Sequence, residues 1–185
     1  MGTGPRRRAR AFSLIEAMIV VIIVGVLAVI AVVAYRRWVR TAYLAEAQDM
    51  VTHIRAAEEA FRAENGGYLN ISNGLGPGHD YPRLTPDKNK TQWGGACVAC
   101  NAGVSWSSLN IEVSAPVVFG YSLVASNSAA PSISKTVNGT ALDLSAMTPP
   151  WYFIEADGDE DGNGVFTHVY AMSGNNRVFV DNEGE

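Results

Sequence analysis

The first residues that could do chemistry are acidic positions that alternate near the C-terminus. Asp157, Asp159, Asp161 and Asn163 stand at every second position of a short stretch interspersed with glycines. Side-chain oxygens presented by a tight, glycine-containing loop are what a hard cation such as calcium needs. A full calcium loop would carry a bidentate Glu at its twelfth position, which here is His168. Asp, Asn and Gly are also common hairpin-turn residues, so calcium binding and a solvated acidic turn are both open interpretations.

The chain has two cysteines, Cys97 and Cys100, which are separated by two residues and followed by Asn101. Asn101 excludes the haem-attachment motif, which needs His there, and structural zinc would require two further ligands although the chain has no other cysteine. A redox pair is expected at the start of a helix that follows a strand, but Gly103 and a strand-like run come next. We therefore predict a disulfide that closes a tight loop outside the membrane, with a thiol-redox role as the alternative.

A third candidate is a carboxylate at the start of an apolar segment. Residues 17–35 contain no charged side chain. At about 1.5 Å per helical residue, they reach close to the roughly 30 Å of bilayer hydrocarbon. Glu16 directly precedes this segment, where a carboxylate costs about 1–3 kcal/mol on insertion, depending on depth. Because ionisable groups in such positions usually serve a function, Glu16 is a candidate functional residue.

The residues around Glu16 form a recognisable order. A basic leader (residues 6–10) precedes the small residue Ala11, then the motif Phe12-Ser13-Leu14-Ile15-Glu16 and the apolar segment. This order resembles the class III signal of type IV prepilins and pseudopilins. The resemblance implies cleavage between Ala11 and Phe12 by prepilin peptidase, methylation of the new amine of Phe12, and a long helix that packs against its copies in a filament. It also implies that Glu16 pairs with the N-terminal amine of a neighbouring subunit, which offsets the cost of a charge among apolar helices.

Two residues depart from the family's usual pattern. Ala11 stands where Gly is usual before the cut, and Val33 stands where major pilins often have Pro, so Gly25 is the remaining weak point of the helix. An uncleaved signal anchor would explain the leader and the apolar run but not the motif that ends at Glu16. A secretory signal cut after Ala34 would have an apolar region longer than the usual roughly 7–15 residues.

The apolar segment continues into an amphipathic helix, and no Pro or Gly interrupts the pattern between Gly25 and Gly66. We predict one helix over residues 13–64. In its second half, apolar residues recur at alternating steps of four and three, which is typical of one buried helix face. These residues are Tyr43, Ala47, Met50, Ile54, Ala57 and Phe61, with Leu44 and Val51 alongside. The stripe favours packing on the protein's own domain over a free coiled coil, which needs about three to four sustained heptads.

The remainder of the chain predicts a connecting loop followed by an antiparallel sheet. Gly and Pro punctuate the loop, and short β-rich runs follow it. The runs cover 104–111, 119–124, 151–156, 165–172 and 177–180, with a long exposed loop over 126–150. The predicted fold is α+β and type IV pilin-like, with a long N-terminal α-helix packed on a C-terminal antiparallel β-sheet. Its parts are a cleaved leader (1–11), a membrane-spanning or filament-core half-helix (12–35), an amphipathic half-helix (36–65), the connecting loop (66–103) and the sheet domain (104–185).

The charge distribution bears on location and partners. The chain carries 14 basic and 18 acidic residues, a net charge of -4 that becomes -8 when the leader's four arginines are removed. An acidic exterior gives no support to nucleic-acid binding. The leader arginines predict that the N-terminus stays cytoplasmic and the C-terminus is periplasmic, although the three arginines between residues 36 and 40 weaken this asymmetry.

The function implied by the resemblance is structural. We expect a filament subunit and no enzyme, because the sequence has no nucleophile with a base and no phosphate-binding loop. The expected partners are copies of the chain or other pilins, prepilin peptidase, the inner-membrane assembly platform and membrane lipid; calcium is the one cofactor suggested. The chain would be a single-pass inner-membrane protein before assembly and part of a surface pilus afterwards.

Two alternative functions stay open. A type II secretion pseudopilin is one alternative, although the long loops favour a pilin. A membrane-tethered periplasmic thiol-redox domain is an alternative of another class.

Overall fold

The computed structural model describes residues 13–145 and 147–184. The described chain opens with one long helix, α1 (Leu14–Asn65), which agrees within one residue at each end with the prediction. The chain divides into two compact units, the first ending at Val39 and the second beginning at Arg40. Helix α1 therefore contributes its apolar half to the first unit and its amphipathic half to the second.

The end of α1 has a clear local cause. Gly66 has a φ of 78°, in the left-handed region, and its N–H donates to the carbonyl of Arg62 at 2.8 Å. Glycine is favoured at such a cap because it lacks a Cβ atom that would clash there. The side-chain amide of Asn65 donates to the carbonyl of Phe61 at 2.9 Å and satisfies a second terminal carbonyl.

The second half of α1 buries the predicted stripe. Leu44, Ala47, Met50, Val51 and Ile54 are buried, and the remaining predicted positions are partly buried against the same core. These residues confirm the amphipathic interpretation. The structure adds one residue that the apolar pattern does not include, the fully buried Glu58.

The described part of the second unit contains six strands after the helix. They are β1 (Gly120–Ser126), β2 (Thr136–Val137), β3 (Thr140–Ala141), β4 (Trp151–Gly158), β5 (Thr167–Met172) and β6 (Asn175–Asp181). Four of them form an antiparallel sheet in the order β1-β4-β5-β6, and β2 and β3 form a separate small hairpin. Strand β4 pairs along both edges, and all eight of its residues are buried.

Both faces of the sheet are covered. One face contributes residues such as Leu123, Ile154 and Val169 to a core shared with the buried stripe of α1. The other face carries Phe153, Tyr170 and Met172 in a second, smaller core. Residues from the 126–150 region cover this second core, namely Ile133, Val137, Leu142, Leu144 and Met147. The fold is thus the predicted α+β arrangement, with the 126–150 region packed on the sheet more closely than an exposed loop would be.

One predicted strand is wrong. Residues 104–111 contain a short 3-10 helix, Trp106–Leu109, and no strand of the main sheet. Trp106 and Leu109 are both buried, and their spacing of three residues places them on one side of a 3-10 turn. Asn110 then ends the turn with a φ of 54°. The β-rich composition of this segment predicts a strand. Composition does not distinguish a strand from an apolar turn of this length, so the prediction is wrong here.

Candidate functional site

The N-terminal site begins at the edge of the described residues. The processing pair Ala11 and Phe12 lies outside them. Glu16 lies in the first turn of α1 and is exposed, and its Oε2 atom accepts the backbone N–H of Ser13 at 2.9 Å. This contact satisfies one free N–H of the helix start and leaves the second carboxylate oxygen available to a partner.

The described part of the first unit, from residue 13 onward, is largely apolar on all sides. All described residues from 13 to 38 are exposed, including Leu14 at 78 % and Val21 at 71 %. Isolated apolar side chains are common on protein surfaces, but a continuous apolar helix needs a non-aqueous environment. By length and composition, α1 is long and apolar enough to cross a membrane. The segment is therefore consistent with membrane anchoring.

Cys97 and Cys100 are joined by a disulfide, and their Cα atoms lie 5.3 Å apart. The bonded loop is fixed to the segment that follows α1. The backbone N–H of Asn101 donates to the carbonyl of Ile71 at 2.7 Å, and its side-chain amide donates to the carbonyl of Ser72 at 3.1 Å. In this form the pair is a structural crosslink of a tight turn and has no free thiol for the redox alternative.

The acidic loop between β4 and β5 bonds mainly to itself. The carboxylate of Asp159 accepts three backbone N–H groups from residues 162–164, at 2.7–3.1 Å. Asp161 accepts the N–H of Asn163 at 3.0 Å and forms an ion pair with Arg40 at 3.0 Å. The amide oxygen of Asn163 accepts the N–H two positions further on at 2.6 Å. These contacts are typical of turns closed by Asp and Asn side chains, and calcium binding by this loop stays a prediction.

Asp157, the fourth predicted calcium ligand, lies apart from the loop. It is fully buried in β4, and its carboxylate forms a hydrogen bond with Nδ1 of His168, its cross-strand partner in β5. Glu155 lies two residues earlier on the same face of β4. One ligand atom from each of Glu155, Asp157 and His168 lies within 4.8 Å of the other two. The structure therefore brings Asp157 together with residues that were not predicted as ligands.

These three residues belong to a larger group, which we name the polar cluster. It consists of Asp80, Ser122, Lys135, Glu155, Asp157 and His168. The sequence alone does not point to Asp80 or Glu155. It presents His168 only as the twelfth position of the acidic loop, where a full calcium loop would carry Glu. The available signal was the pair of carboxylates two residues apart in β4, because alternate residues of a strand face the same side. Asp80 comes from the connecting loop and has no such signal.

Burial and mutual repulsion shift the acid–base equilibria of the polar cluster. Burial, reinforced by the charges of Asp157 and Glu155, raises the pKa of Asp80 to about 10. Burial and the charge of Asp157 also raise the pKa of Glu155 to about 7, although the Lys135 ammonium opposes the change. For His168, burial lowers the pKa, but the hydrogen bond and charge of Asp157 outweigh it, so the pKa is raised overall. At neutral pH the cluster therefore retains protons that exposed carboxyls would lose.

Comparison with known proteins identifies the N-terminal segment. Residues 6–32 match the family model of the prokaryotic N-terminal methylation motif, the prepilin-type cleavage and methylation signal of type IV pilins. The match includes the basic residues 6–10, Ala11, Phe12 and Glu16, and it confirms the resemblance seen in the sequence. No curated protein and no solved structure matches the chain significantly.

The signal and the fold together define a class of protein. The chain carries a prepilin-type signal, and its fold is an α+β, pilin-like combination of an N-terminal helix and an antiparallel sheet. The motif implies processing by prepilin peptidase and assembly with other pilin-like chains.

Proposed function

We propose that the chain is a structural subunit of a type IV pilus-like filament. In this proposal it is stored in the inner membrane, cleaved between Ala11 and Phe12, methylated on the new amine of Phe12, and then polymerised. The observation that carries the proposal is the methylation motif at residues 6–32, which runs into an uninterrupted helix whose apolar side chains are exposed all round. A helix of this kind needs two successive apolar environments, first lipid and then copies of itself.

Glu16 is the proposed determinant of subunit register. In the described chain its carboxylate is exposed and contacts the N–H of Ser13. Cleavage before Phe12 would create a positive amine two residues upstream of Leu14, where the helix starts. When helices pack in a filament, the amine of one subunit and the carboxylate of its neighbour would otherwise both be buried unpaired, at a cost of several kcal/mol per charge. Pairing the two groups removes that cost only at the correct axial offset, so it selects one register.

The proposed orientation follows from the leader. Four arginines precede the apolar segment and favour retention of the N-terminus in the cytoplasm, where prepilin peptidase would act on it. The second unit would then lie in the periplasm before assembly and on the filament surface afterwards. An assembly platform in the inner membrane and the surrounding lipid would be the other partners.

The N-terminal peptide provides the direct test. Mass spectrometry of membrane fractions and of sheared surface fractions should detect a peptide that begins at Phe12 and carries one added methyl group. An intact Met1 would show an uncleaved anchor, and a start at Tyr35 would show a conventional secretory signal; either result would overturn the proposal.

A type II secretion pseudopilin would share the signal and the helix, and the same fractions distinguish it. A pilus subunit should be recovered as methylated Phe12 peptide from sheared surface filaments. A pseudopilin should give the same peptide only from membranes. We favour the pilus subunit because the 66–103 and 126–150 segments are long, although part of the 126–150 segment packs on the sheet.

A further inference from the structure

The polar cluster lies on the sheet face that is turned away from the core shared with α1. The strand register pairs Gly120 with Asp157, Ser122 with Glu155, and Asp157 with His168. Directly paired residues of antiparallel strands project from the same face of a sheet. These positions therefore form two adjacent rows on one face of the sheet: Gly120, Asp157 and His168 make up the first, and Ser122 and Glu155 belong to the second. Gly120 contributes no side chain.

Asp80 fills the space that Gly120 leaves. A Cβ atom on Gly120 would lie 2.6 Å from Cβ and 3.2 Å from Cγ of Asp80. The side chain of Asp80 thus occupies the position next to Asp157, where it is only 2 % exposed. The Asp80 carboxyl interacts with the carboxylate of Asp157 and the hydroxyl of Ser122. Among the described residues, neither of its oxygens, nor Oε2 of Glu155 and Oδ2 of Asp157, makes a hydrogen bond of regular geometry.

The cluster has more acidic groups than cationic partners. Three buried carboxyls face one ammonium, from Lys135, whose Nζ atom lies 2.7 Å from Oε1 of Glu155, and one imidazole, from His168. Buried polar atoms are nearly always paired, because burial without a partner costs about 1–3 kcal/mol and more for a charge. Carboxyl oxygens crowded together without regular hydrogen bonds attract positive charge, either as protons or as a bound cation.

We propose that Glu155, Asp157 and His168 bind a divalent transition-metal ion, zinc by preference, with Asp80 supplying the adjacent carboxyl. Carboxylate oxygens and an imidazole nitrogen are zinc ligands at about 2.0–2.2 Å. Since the three ligand atoms already lie within 4.8 Å of one another, small side-chain rotations bring them onto one ion.

The ligand types favour zinc over calcium. Calcium takes six to eight oxygen ligands, whereas imidazole is a ligand typical of zinc and other first-row transition metals. The ion can reach the site because the side chains of Lys135 and His168 are each 24 % exposed at its edge. A bound ion would connect β4 to β5 and, through Asp80, would attach the connecting loop to the sheet.

Zinc binding by the full-length protein in detergent micelles tests the proposal. The protein is stripped with a chelator, equilibrated with zinc chloride, and measured for bound zinc by elemental analysis and for affinity by calorimetry. We expect one zinc ion per chain and a rise in Tm that depends on zinc concentration and is reversed by chelator. Asp157→Asn and His168→Gln should each lower the affinity at least ~10-fold, since even outer partners of metal ligands typically contribute 10–100-fold.

His53→Gln is the matched control. His53 lies on α1 with its side chain 72 % exposed, and its loss should leave zinc binding unchanged. Absence of bound zinc in the wild-type protein would overturn the proposal, whether or not any variant folds. Unchanged affinity in both Asp157→Asn and His168→Gln would also overturn it, as would displacement of zinc by an equal concentration of calcium. None of these measurements depends on filament assembly.

Discussion

The two halves of α1 share a backbone conformation and differ in what surrounds it. In the first half, every described side chain from residue 13 to residue 38 is exposed, although almost all are apolar. In the second half, one face is buried in the protein's own core and the other is polar. Both halves are helical although the first contains Gly25 and many β-branched residues, which have lower helix propensity. The distribution of apolar residues around the helix decides whether the partner is internal or external.

Each half of α1 also has a carboxylate among apolar neighbours, and these two carboxylates differ in exposure and in hydrogen-bond contacts. Glu16 is exposed in the single chain, with a contact to the N–H of Ser13. Glu58 is fully buried, and its Oε2 atom accepts the backbone N–H of Leu69 at 3.0 Å. The Glu16 carboxylate is therefore available to a partner, whereas Glu58 has a hydrogen bond within the same domain for one of its two oxygens, and its Oε1 atom is buried without one.

The largest expected effect comes from removing the carboxylate of the first half. Glu16→Ala should leave the protein inserted and cleaved but reduce filament yield at least tenfold, because an unpaired buried amine costs about 3–5 kcal/mol per subunit. Filament yield is measured by immunoblotting of sheared fractions. Glu64→Ala, which removes an exposed carboxylate near the other end of α1, is the matched control and should assemble normally. Wild-type filament yield from Glu16→Ala would contradict the proposed pairing.

A large effect on stability is expected only in the second half. Ile54 is fully buried, so Ile54→Ala should lower the free energy of unfolding of the second unit by about 2–5 kcal/mol through lost burial and a residual cavity. Urea unfolding in detergent, followed by tryptophan fluorescence, measures the change, since Trp93 and Trp106 are buried in the same core. Ile22→Ala, at a position 63 % exposed in the single chain, should not move this transition. Equal shifts for the two variants would remove the distinction between the halves.

The buried carboxyl of the second half predicts a pH dependence. Burial raises the pKa of Glu58 from 4.5 to about 7. The folded state therefore holds the proton more tightly than the unfolded state, and stability is highest at low pH. It falls as the pH rises from about 4.5 to about 7 and is constant above that range, as far as this group is concerned.

Glu58→Gln isolates this contribution. The Gln amide oxygen can still accept the N–H of Leu69 but cannot ionise. At pH 8 the variant should be more stable than the wild-type protein by about 1–3 kcal/mol, and at pH 5 the two should be nearly equal. Urea midpoints at the two pH values measure the difference, and Glu59→Gln on the exposed face serves as control. A difference that is the same at both pH values would show that ionisation of Glu58 is not its cause.

The sequence predicts the elements of this fold better than their contacts. The bounds of α1 and its buried stripe follow from periodicity and from the glycines at 66 and 67, which act locally. The four strands of the main sheet follow from β-rich composition in the same way. The 3-10 turn at Trp106–Leu109 was mistaken for a strand because the short run offers too few residues to separate the two periods.

The two candidate sites also differ in how far they can be recognised from the sequence alone. The prepilin signal is a contiguous motif, so residues such as Ala11, Phe12 and Glu16 can be identified without a structure. The polar cluster is assembled from the connecting loop, the 126–150 region and strands β1, β4 and β5. It depends on the pairing of Asp157 with His168 and on the space above Gly120. Strand register and loop placement are long-range properties, and one sequence does not encode them in a readable pattern.

The smallest expected effect concerns the disulfide of the second unit. Replacing Cys97 and Cys100 together by Ser should lower the free energy of unfolding by about 2 kcal/mol or less, because a crosslink between residues so close in sequence removes little entropy from the unfolded chain. A reductant should shift the urea midpoint of the wild-type protein by the same amount and leave the double variant unaffected. Membrane insertion and cleavage should not change, because the residues that direct them lie in the first unit. A double variant that unfolds at equal urea but fails to assemble would instead place this turn at a subunit contact.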